Sequence, residues 1–195
     1  KIHRAELVAA NINDVQLNEH AAGGHVIEPV PGIYNDVIVL DFKSLYPSII
    51  QSFKIDPVSR LFSNVDTITT PDGFKFSASK HFLPDYINEL MNKRIEASKV
   101  GDAHLSQAIK ILMNSFYGVM ASSGCRFYHP NLPSAITGTG KWLLLQSKEY
   151  LHQHGYEVIY GDTDSLFIKL KMGEGASAPL NGERIVSELN DYWKK

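Results

Sequence analysis

The alternation of apolar and polar residues is clearest in the middle of the chain, where it has the period of an α-helix. Apolar residues recur at helical spacing over residues 84–99 and again over residues 105–117. The link between these segments is short and contains Gly101, so we expect an antiparallel pair of helices. Gly118 follows the second segment. Because glycine commonly stands just beyond a helix, the second helix is predicted to end there.

Short apolar runs that are rich in β-branched residues predict strands. They cover residues 37–40, 157–160 and 165–170. The first run ends at Asp41, and the turn between the other two contains Asp162 and Asp164. Three acidic residues are therefore predicted to lie at the ends of strands.

Further helices are predicted from weaker patterns over residues 44–53, 137–152 and 183–193. Residues 56–79 and 172–180 have no clear period and are expected to be irregular. Within the first of these stretches the sequence Pro-Asp-Gly at residues 71–73 predicts a turn.

The acidic turn, Tyr-Gly-Asp-Thr-Asp-Ser at residues 160–165, allows two interpretations. Turns favour Asp because its side chain bonds nearby backbone amides, so an Asp-x-Asp turn is by itself more often a surface hairpin. Adjacent carboxylates repel each other, however, unless a cation lies between them. Mg²⁺ is held in this way, by one or two carboxylates together with substrate phosphates.

Asp41 stands where a predicted buried strand ends and a helix is about to begin. Backbone N–H groups at a helix N-terminus bind phosphate oxygens, and an Asp at this point can hold a metal ion that bridges to the same phosphates. The alternative is that Asp41 only caps the helix. The residue alone favours capping.

Lys110, Asn114 and Tyr117 fall at i, i+4 and i+7 on the second helix of the predicted pair, away from its apolar stripe. Such a face is usually only solvated. Arg94 on the preceding helix could stand beside Lys110 across the hairpin, and two cations there would suit a triphosphate.

Three motifs, in this order, resemble those of family B DNA polymerases. Residues 41–48 (DFKSLYPS) resemble the family's motif A, residues 110–118 (KILMNSFYG) its motif B, and residues 160–165 (YGDTDS) its motif C. Gly23-Gly24 resembles the motif that links the exonuclease and polymerase regions. Residues 137–141 (TGTGK) resemble the primer-template motif T-x-x-G-R, with Lys in place of Arg. The resemblance covers about residues 23–170.

The resemblance implies an α+β fold, namely a polymerase palm with an antiparallel β-sheet backed by helices, plus an inserted two-helix fingers hairpin. Residues 1–80 would form the N-terminal part of the palm with motif A, residues 81–118 the fingers hairpin, and residues 119–195 the C-terminal part of the palm with motif C. The family's exonuclease and thumb do not fit into 195 residues. We therefore expect a fragment that is weakly active or inactive by itself.

The reaction that the resemblance implies is template-directed transfer of a deoxynucleotide from a dNTP to a primer 3′-hydroxyl. It would use two Mg²⁺ ions, with Mn²⁺ as an alternative. The implied catalytic residues are Asp41, Asp164 and Lys110. The implied metal ligands are Asp41, the Phe42 carbonyl, Asp162 and Asp164, with Asp162 acting either directly or through water. The implied nucleotide-binding residues are Ser44, Leu45, Tyr46, Arg94, Lys110, Asn114 and Tyr117. The implied DNA-binding residues are Gly23, Gly24, Gly118, Thr137, Gly140, Lys141 and Tyr160.

Two other classes of function share part of this pattern. A two-metal nuclease also needs clustered carboxylates, but it would need neither Tyr46 nor a cationic helix. A non-catalytic DNA-binding module derived from a polymerase would be expected to have lost an acidic ligand, whereas Asp41 and Asp164 are both present.

Composition changes this picture in one respect. The formal net charge is −2, whereas most nucleic-acid-binding domains are basic. Two explanations are open: carboxylates that bind metal would lower the sum, and the main basic DNA clamp could lie outside this chain. The lone cysteine, Cys125, excludes an internal disulfide and fits a reducing cytoplasm.

The expected partners are primer-template DNA and a dNTP, with a sliding clamp reached through regions outside this chain. No apolar run has the length of a membrane span. Because the first six residues are mostly polar and no apolar core follows them, we expect no secretory signal. The expected location is the cytoplasm, at the bacterial nucleoid.

Overall fold

The computed structural model describes residues 6–15, 23–122, 124–170 and 178–194. Most of the predicted loop over residues 172–180 therefore lies outside the described residues. The chain divides into two compact units. The first unit comprises residues 1–23 and 44–139, and the second comprises residues 24–43 and 140–195. No helix in the described part of the chain is long and apolar enough to cross a membrane.

The second unit contains a four-stranded antiparallel sheet, in the order β1-β5-β6-β2. Its strands are β1 (Val26–Ile27), β2 (Val37–Asp41), β5 (Glu157–Asp162) and β6 (Ser165–Lys169). One face of this sheet packs on the second half of helix α5 (Asn131–Gln153) and on helix α6 (Ala178–Trp193). The buried residues of this core include Leu40, Leu144, Leu166, Ile168, Ile185 and Leu189. The antiparallel sheet backed by helices that the sequence predicts is confirmed.

A register shift in β5 decides which residues share a face of this sheet. Val158 pairs with Ile168, but Tyr160 pairs with Phe167, so one extra residue lies between the two pairs. Such a bulge breaks the strict alternation of faces along a strand. Val158 and Ile159 are consequently both buried, although they are adjacent in the sequence.

The first unit holds the predicted helix pair, α3 (Leu83–Lys99) and α4 (Ala103–Met120). Their antiparallel arrangement is evident from two contacts. The rings of Tyr86 and Phe116 lie 5.9 Å apart at one end of the pair. The hydroxyls of Ser98 and Ser106 lie 3.1 Å apart near the other end. Both predicted helices are confirmed.

The rest of the first unit includes two short helices and a two-stranded hairpin. These elements are α1 (Leu45–Ser52), α2 (Pro57–Leu61), β3 (Thr67–Thr69) and β4 (Lys75–Ser77). The carboxylate of Asp56 joins two helix starts. One oxygen accepts from the N–H groups of Val58 and Ser59 in α2, at 2.7 and 3.0 Å. The other oxygen accepts from Leu83 at the start of α3, at 2.9 Å.

The structure corrects several predicted boundaries. Gly118 does not end its helix, because α4 continues to Met120 and Gly118 has ordinary negative φ. Helix α5 begins at Asn131 and not near residue 137, because Leu132, Ala135 and Ile136 are fully buried by the added turns. Residues 56–79 are not irregular throughout, since they contain α2 and the hairpin of β3 and β4.

Candidate active site

Asp41 and Asp162 lie in one row of the sheet, separated by a single residue. Ser165 on β6 pairs with Asp41 on β2 and with Asp162 on β5. Since neighbouring strands are about 4.8 Å apart, the two aspartates are roughly 10 Å apart along the backbone row. Their neighbours Leu40 and Gly161 both pair with Leu166, which belongs to the helix-packed face. The two carboxylates therefore lie on the opposite face, where both residues are exposed.

Asp164 lies in the turn between β5 and β6 and is tied to the end of β2. Its carbonyl accepts from the Phe42 N–H at 2.8 Å. Thr163, which precedes it, has the left-handed conformation with φ of 50° and donates its N–H to the His25 carbonyl at 2.9 Å. Bonds on both sides therefore fix the turn that carries Asp164.

The electrostatics of this acidic group favour binding of a cation. Partial burial raises the pKa of Asp164, and repulsion from Asp41 raises it further, with a smaller contribution from Asp162. A backbone hydrogen bond and the Ser165 hydroxyl act in the opposite direction. No Lys, Arg or His among the described residues forms an ion pair with any of the three carboxylates. The negative charge is therefore concentrated, and no described residue acts as its counter-ion.

The oxygen ligands available at this site suit a hard divalent ion, but they are too few to complete its coordination shell. In the described part of the chain, no three His, Cys, Asp or Glu side chains are grouped closely enough to hold a metal ion. Carboxylate and carbonyl oxygens are the ligands that Mg²⁺ prefers, and in phosphate-transfer sites this ion takes only one or two carboxylates from the protein. The site thus supplies part of a coordination shell and leaves the remainder to substrate or water.

Gly24 has a packing role that the sequence did not reveal. A Cβ atom at this position would overlap the side chain of Thr163 in the acidic turn. Gly23, by contrast, has open space around it. Gly24, which the resemblance implies to bind DNA, therefore allows the backbone to approach the acidic turn closely.

In the first unit, Arg94 of α3 lies against the start of α1. Its Nη1 donates to the Ser44 hydroxyl at 3.3 Å. Ser44 has the left-handed conformation, with φ of 54°, and its side chain makes no capping bond to the helix that it precedes. The Ser44 hydroxyl is therefore engaged with the guanidinium, which sequence reasoning missed because the two residues are far apart in the chain.

Tyr46 and Tyr117 form an aromatic pair within the first unit. Their ring centroids are 4.7 Å apart, with an interplanar angle of 47°. Both side chains are half-buried, and burial raises the pKa of Tyr117. Lys110 and Asn114 share the face of Tyr117 on α4, and both are exposed, as is Gly118. Most other residues of α4 are exposed as well, so exposure does not single out this face.

The predicted DNA-binding residues of α5 differ in what they expose. Thr137 is buried and its hydroxyl donates to the Pro133 carbonyl at 3.0 Å, within the helix. Gly140 is also buried, whereas Lys141 is exposed. Tyr160 on β5 is half-buried, and its ring lies 5.1 Å from that of Phe167.

Comparison with known proteins gives a consistent result. The sequence model of DNA polymerase family B matches residues 1–195. The chain is 43% identical to DNA polymerase II of Escherichia coli, over 99% of this chain and 25% of that protein. It is 33% identical to the DNA polymerase alpha catalytic subunit of Xenopus laevis, over 89% of this chain and 13% of that protein.

A solved structure with the same fold is the family B DNA polymerase from the hyperthermophilic archaeon Pyrobaculum calidifontis. The TM-score is 0.72 at 28% identity, over 97% of this chain and 26% of that one. The chain spans about a quarter, or less, of the length of these relatives.

Proposed function

Because the chain belongs to DNA polymerase family B, we propose that it carries out template-directed transfer of a deoxynucleotide from a dNTP to a primer 3′-hydroxyl. The observation that carries this proposal is the row Asp162–Ser165–Asp41, with Asp164 in the adjoining turn. In the reaction the oxygen of the primer hydroxyl forms a bond to the α-phosphorus of the dNTP. The bond between the α-phosphorus and the oxygen that bridges to the β-phosphate breaks, and pyrophosphate leaves.

Asp41 and Asp164 are the ligands that we assign to two Mg²⁺ ions, with Asp162 and the Phe42 carbonyl as further donors. Bound Mg²⁺ would activate the primer hydroxyl and neutralise charge on the leaving pyrophosphate. The raised pKa of Asp164 supports this assignment, because a site with excess negative charge gains most from a cation. Mn²⁺, with the same preference for oxygen ligands, would be an alternative ion.

The residues of the first unit are assigned to the triphosphate. Ser44 precedes α1, and Leu45 and Tyr46 are its first two residues. Backbone N–H groups at such a helix start bind phosphate oxygens. The Arg94 guanidinium and the Lys110 ammonium supply positive charge. Lys110 is exposed, so it can also deliver a proton to pyrophosphate as it leaves.

The remaining residues are assigned to the base pair and the DNA. Asn114, Tyr117 and Gly118 would face the nascent base pair, and Tyr46 the sugar. Lys141 is the exposed cation of its motif and would contact a phosphate of the primer-template. Gly23, Gly24, Thr137, Gly140 and Tyr160 would act on DNA through backbone approach or packing.

This assignment also implies the parts of a polymerase and its place of work. Residues 81–118 would be the fingers hairpin, and residues 1–80 and 119–195 the palm. Primer-template DNA and a dNTP would be the substrates, and the bacterial nucleoid the location.

A chimera tests the proposed function in a full-length setting. Residues 1–195 would replace the matching segment of E. coli DNA polymerase II, which is 43% identical. We expect the chimera to extend a primer in the presence of Mg²⁺, and Asp41→Asn to lower the extension rate by roughly a hundredfold or more, because charge stabilisation in the transition state is lost.

Asp191→Asn is the matched control, because Asp191 is an exposed carboxylate that pairs with Lys194, at 2.9 Å. Extension by the control should equal that of the unmodified chimera. A chimera that binds primer-template but extends equally well with and without the Asp41 carboxylate would contradict the proposal.

A further inference from the structure

The first unit contains a cavity of about 460 Å³ that none of the residues assigned above lines. Its walls come from residues 7–10, 14 and 15, from residues 57, 58, 60 and 61 of α2, and from residues 126–130. The volume lies in the range of cavities that hold small ligands, about 300–1,000 Å³. The question is which chemistry its walls would recognise.

Arg60, in the last turn of α2, is the first indication of a ligand. Its Nε is buried and has no hydrogen-bond partner among the described residues. An N–H of a charged group that is buried without an acceptor lowers stability, and burial also lowers the pKa of this guanidinium. Nε itself is closed to solvent, so an anion in the cavity would act on the guanidinium as a whole and offset its desolvation.

Arg126 adds a second positive charge to the lining. Its Nε and Nη2 donate to the carbonyls of Ala10 and Ala9, at 2.8 and 2.9 Å, so the side chain is held in place by neutral partners. Asp14 also lines the cavity, and it forms no ion pair with either arginine. The charged lining groups therefore sum to a positive charge.

His129 is consistent with a positive local potential. Burial and the nearby Arg60 guanidinium both lower the pKa of its imidazole. The ring is consequently neutral at pH 7 and does not need a counter-ion.

The remaining walls are apolar and aromatic. Phe127 and Tyr128 line the cavity together with Val58 and Leu61. Phe127 is 37% exposed, so its ring is accessible. Aromatic rings of this kind stack on the bases of single-stranded nucleic acid, while arginines hold the phosphates. The carboxylates of an acidic peptide would bind the arginines but would make no use of the aromatic ring of Phe127.

We propose that this cavity binds one unpaired nucleotide, with its phosphate on Arg60 and Arg126 and its base on Phe127. The nucleotide could be free or part of a single strand, since both present the same phosphate and ring. The inference goes beyond the proposed function, because it concerns different residues and involves no chemical step.

The test measures the affinity of the 195-residue chain for a fluorescein-labelled oligothymidylate by fluorescence anisotropy. The buffer contains EDTA, so that metal-dependent nucleotide binding cannot contribute. We expect Arg60→Gln to weaken binding about tenfold and to reduce the salt slope by roughly 0.7, the value for one phosphate contact on a single strand. Phe127→Ala should also weaken binding about tenfold, through lost stacking.

Arg184→Gln is the matched control, because it removes the same charge from an exposed arginine of α6. It should leave the affinity within twofold of the parent chain. Thermal melting checks that each variant is folded, and Arg60→Gln should not lower the melting temperature, because the buried Nε–H that it removes has no hydrogen-bond partner among the described residues.

Competition distinguishes the two sources of the nucleotide. If dTMP displaces the labelled oligonucleotide at a concentration similar to that of unlabelled oligonucleotide, the site binds a free nucleotide. If only unlabelled oligonucleotide displaces it, the site binds a nucleotide within a strand. Displacement by inorganic phosphate as effective as that by dTMP would overturn the role of Phe127 and hence the proposal. Equal affinity of the parent, Arg60→Gln and Phe127→Ala chains would also overturn it, as would an equal loss in Arg184→Gln. The binding assay contains EDTA and involves no chemical step, so a failed extension assay leaves this result unaffected.

Discussion

At the scale of the residue, Tyr46 is held by a second aromatic ring. The 4.7 Å separation from the Tyr117 ring limits the orientations that Tyr46 can take, and Pro47 follows it and restricts the backbone. If the incoming sugar lies on this ring, a 2′-hydroxyl has neither space nor a hydrogen-bond partner.

Tyr46→Ala in the chimera should therefore relax the choice of sugar. A hydroxyl that is desolvated without a partner costs about 1–3 kcal/mol, so we expect the ratio of ribonucleotide to deoxynucleotide incorporation to rise about tenfold or more. Steady-state incorporation of both nucleotides on one primer-template measures the ratio. Tyr46→Phe, which keeps the ring, should leave the ratio unchanged, and an unchanged ratio in Tyr46→Ala would exclude this role.

Asp164 makes stability depend on pH with a sign that can be stated in advance. Its pKa is raised in the folded chain, so the folded state holds the proton more tightly than the unfolded state. Ionisation of Asp164 therefore lowers the free energy of unfolding, and this loss is absent below the pKa of the unfolded state, about 3.9. The effect grows as pH rises through the folded pKa and is complete above it.

In metal-free buffer near pH 7, Asp164→Asn should therefore melt at a higher temperature than the parent chain, and the difference should shrink towards about pH 4. Added Mg²⁺ should raise the melting temperature of the parent more than that of the variant. Asp191→Asn, on the exposed face of α6, serves as the control. Equal melting temperatures of the parent and Asp164→Asn at both pH values would show that the ionised Asp164 carboxylate does not destabilise the folded chain.

Single residues were predictable where the chemistry is local. The two aspartates of the turn and the spacing of Lys110, Asn114 and Tyr117 follow from neighbouring residues alone. The bond between Arg94 and Ser44 joins residues 50 positions apart, and the overlap that requires Gly24 depends on Thr163. Neither contact has a local signal, so neither could be predicted.

At the scale of the element, Asp56 fixes two helices at once. Only 3% of Asp56 is exposed, and its two carboxylate oxygens accept hydrogen bonds from backbone N–H groups at the starts of α2 and α3. Asp followed by Pro57 is a typical helix start, so the first of these bonds had a sequence signal. The second joins positions 27 residues apart and had none.

Asp56→Ala should lower the free energy of unfolding by about 2–4 kcal/mol, since each lost cap costs about 0.5–2 kcal/mol and buried N–H groups lose their acceptor. Asp102→Ala is the control, because Asp102 caps only α4 and is exposed, with its carboxylate 2.9 Å from the Leu105 N–H. That change should cost about 1 kcal/mol. Urea denaturation measures both, and equal losses would show that the second cap contributes nothing.

Most of the elements that the sequence did not predict are short. Helices α3 and α4 have 17 and 18 residues, enough for a clear period. Helix α2 and the strands β3 and β4 have three to five residues each, too few for any pattern. The bulge in β5 was also beyond prediction, because Val158 and Ile159 are equally apolar and the sequence does not mark which residue is extra.

At the scale of the whole molecule, charge limits the affinity for DNA. Phosphate neutralisation supplies most of the affinity for nucleic acid, and the net charge here is −2. We expect the 195-residue chain to bind primer-template with a dissociation constant of about 1 μM or weaker at physiological salt, and more weakly as salt rises. Titrations at several salt concentrations test this. Nanomolar binding at physiological salt would show that a DNA clamp lies within this chain.

The division of the chain was the part of the fold that the motifs did not indicate. A border between the two units falls between Lys43 and Ser44, within the run DFKSLYPS that is one motif in the sequence. Unit borders depend on which residues pack together over long distances, and a motif of adjacent residues contains no such information.

The bulge in β5 has an evolutionary consequence. Beyond it, the pairs Tyr160–Phe167, Gly161–Leu166 and Asp162–Ser165 form an unbroken register with the acidic turn. A gene could gain or lose a codon upstream of Tyr160 and still encode Asp162 opposite Ser165. A codon lost between Tyr160 and Ser165 would shift the acids themselves. Natural homologues are therefore expected to vary in length on one side of the bulge and to be constant on the other, which an alignment of their sequences would reveal.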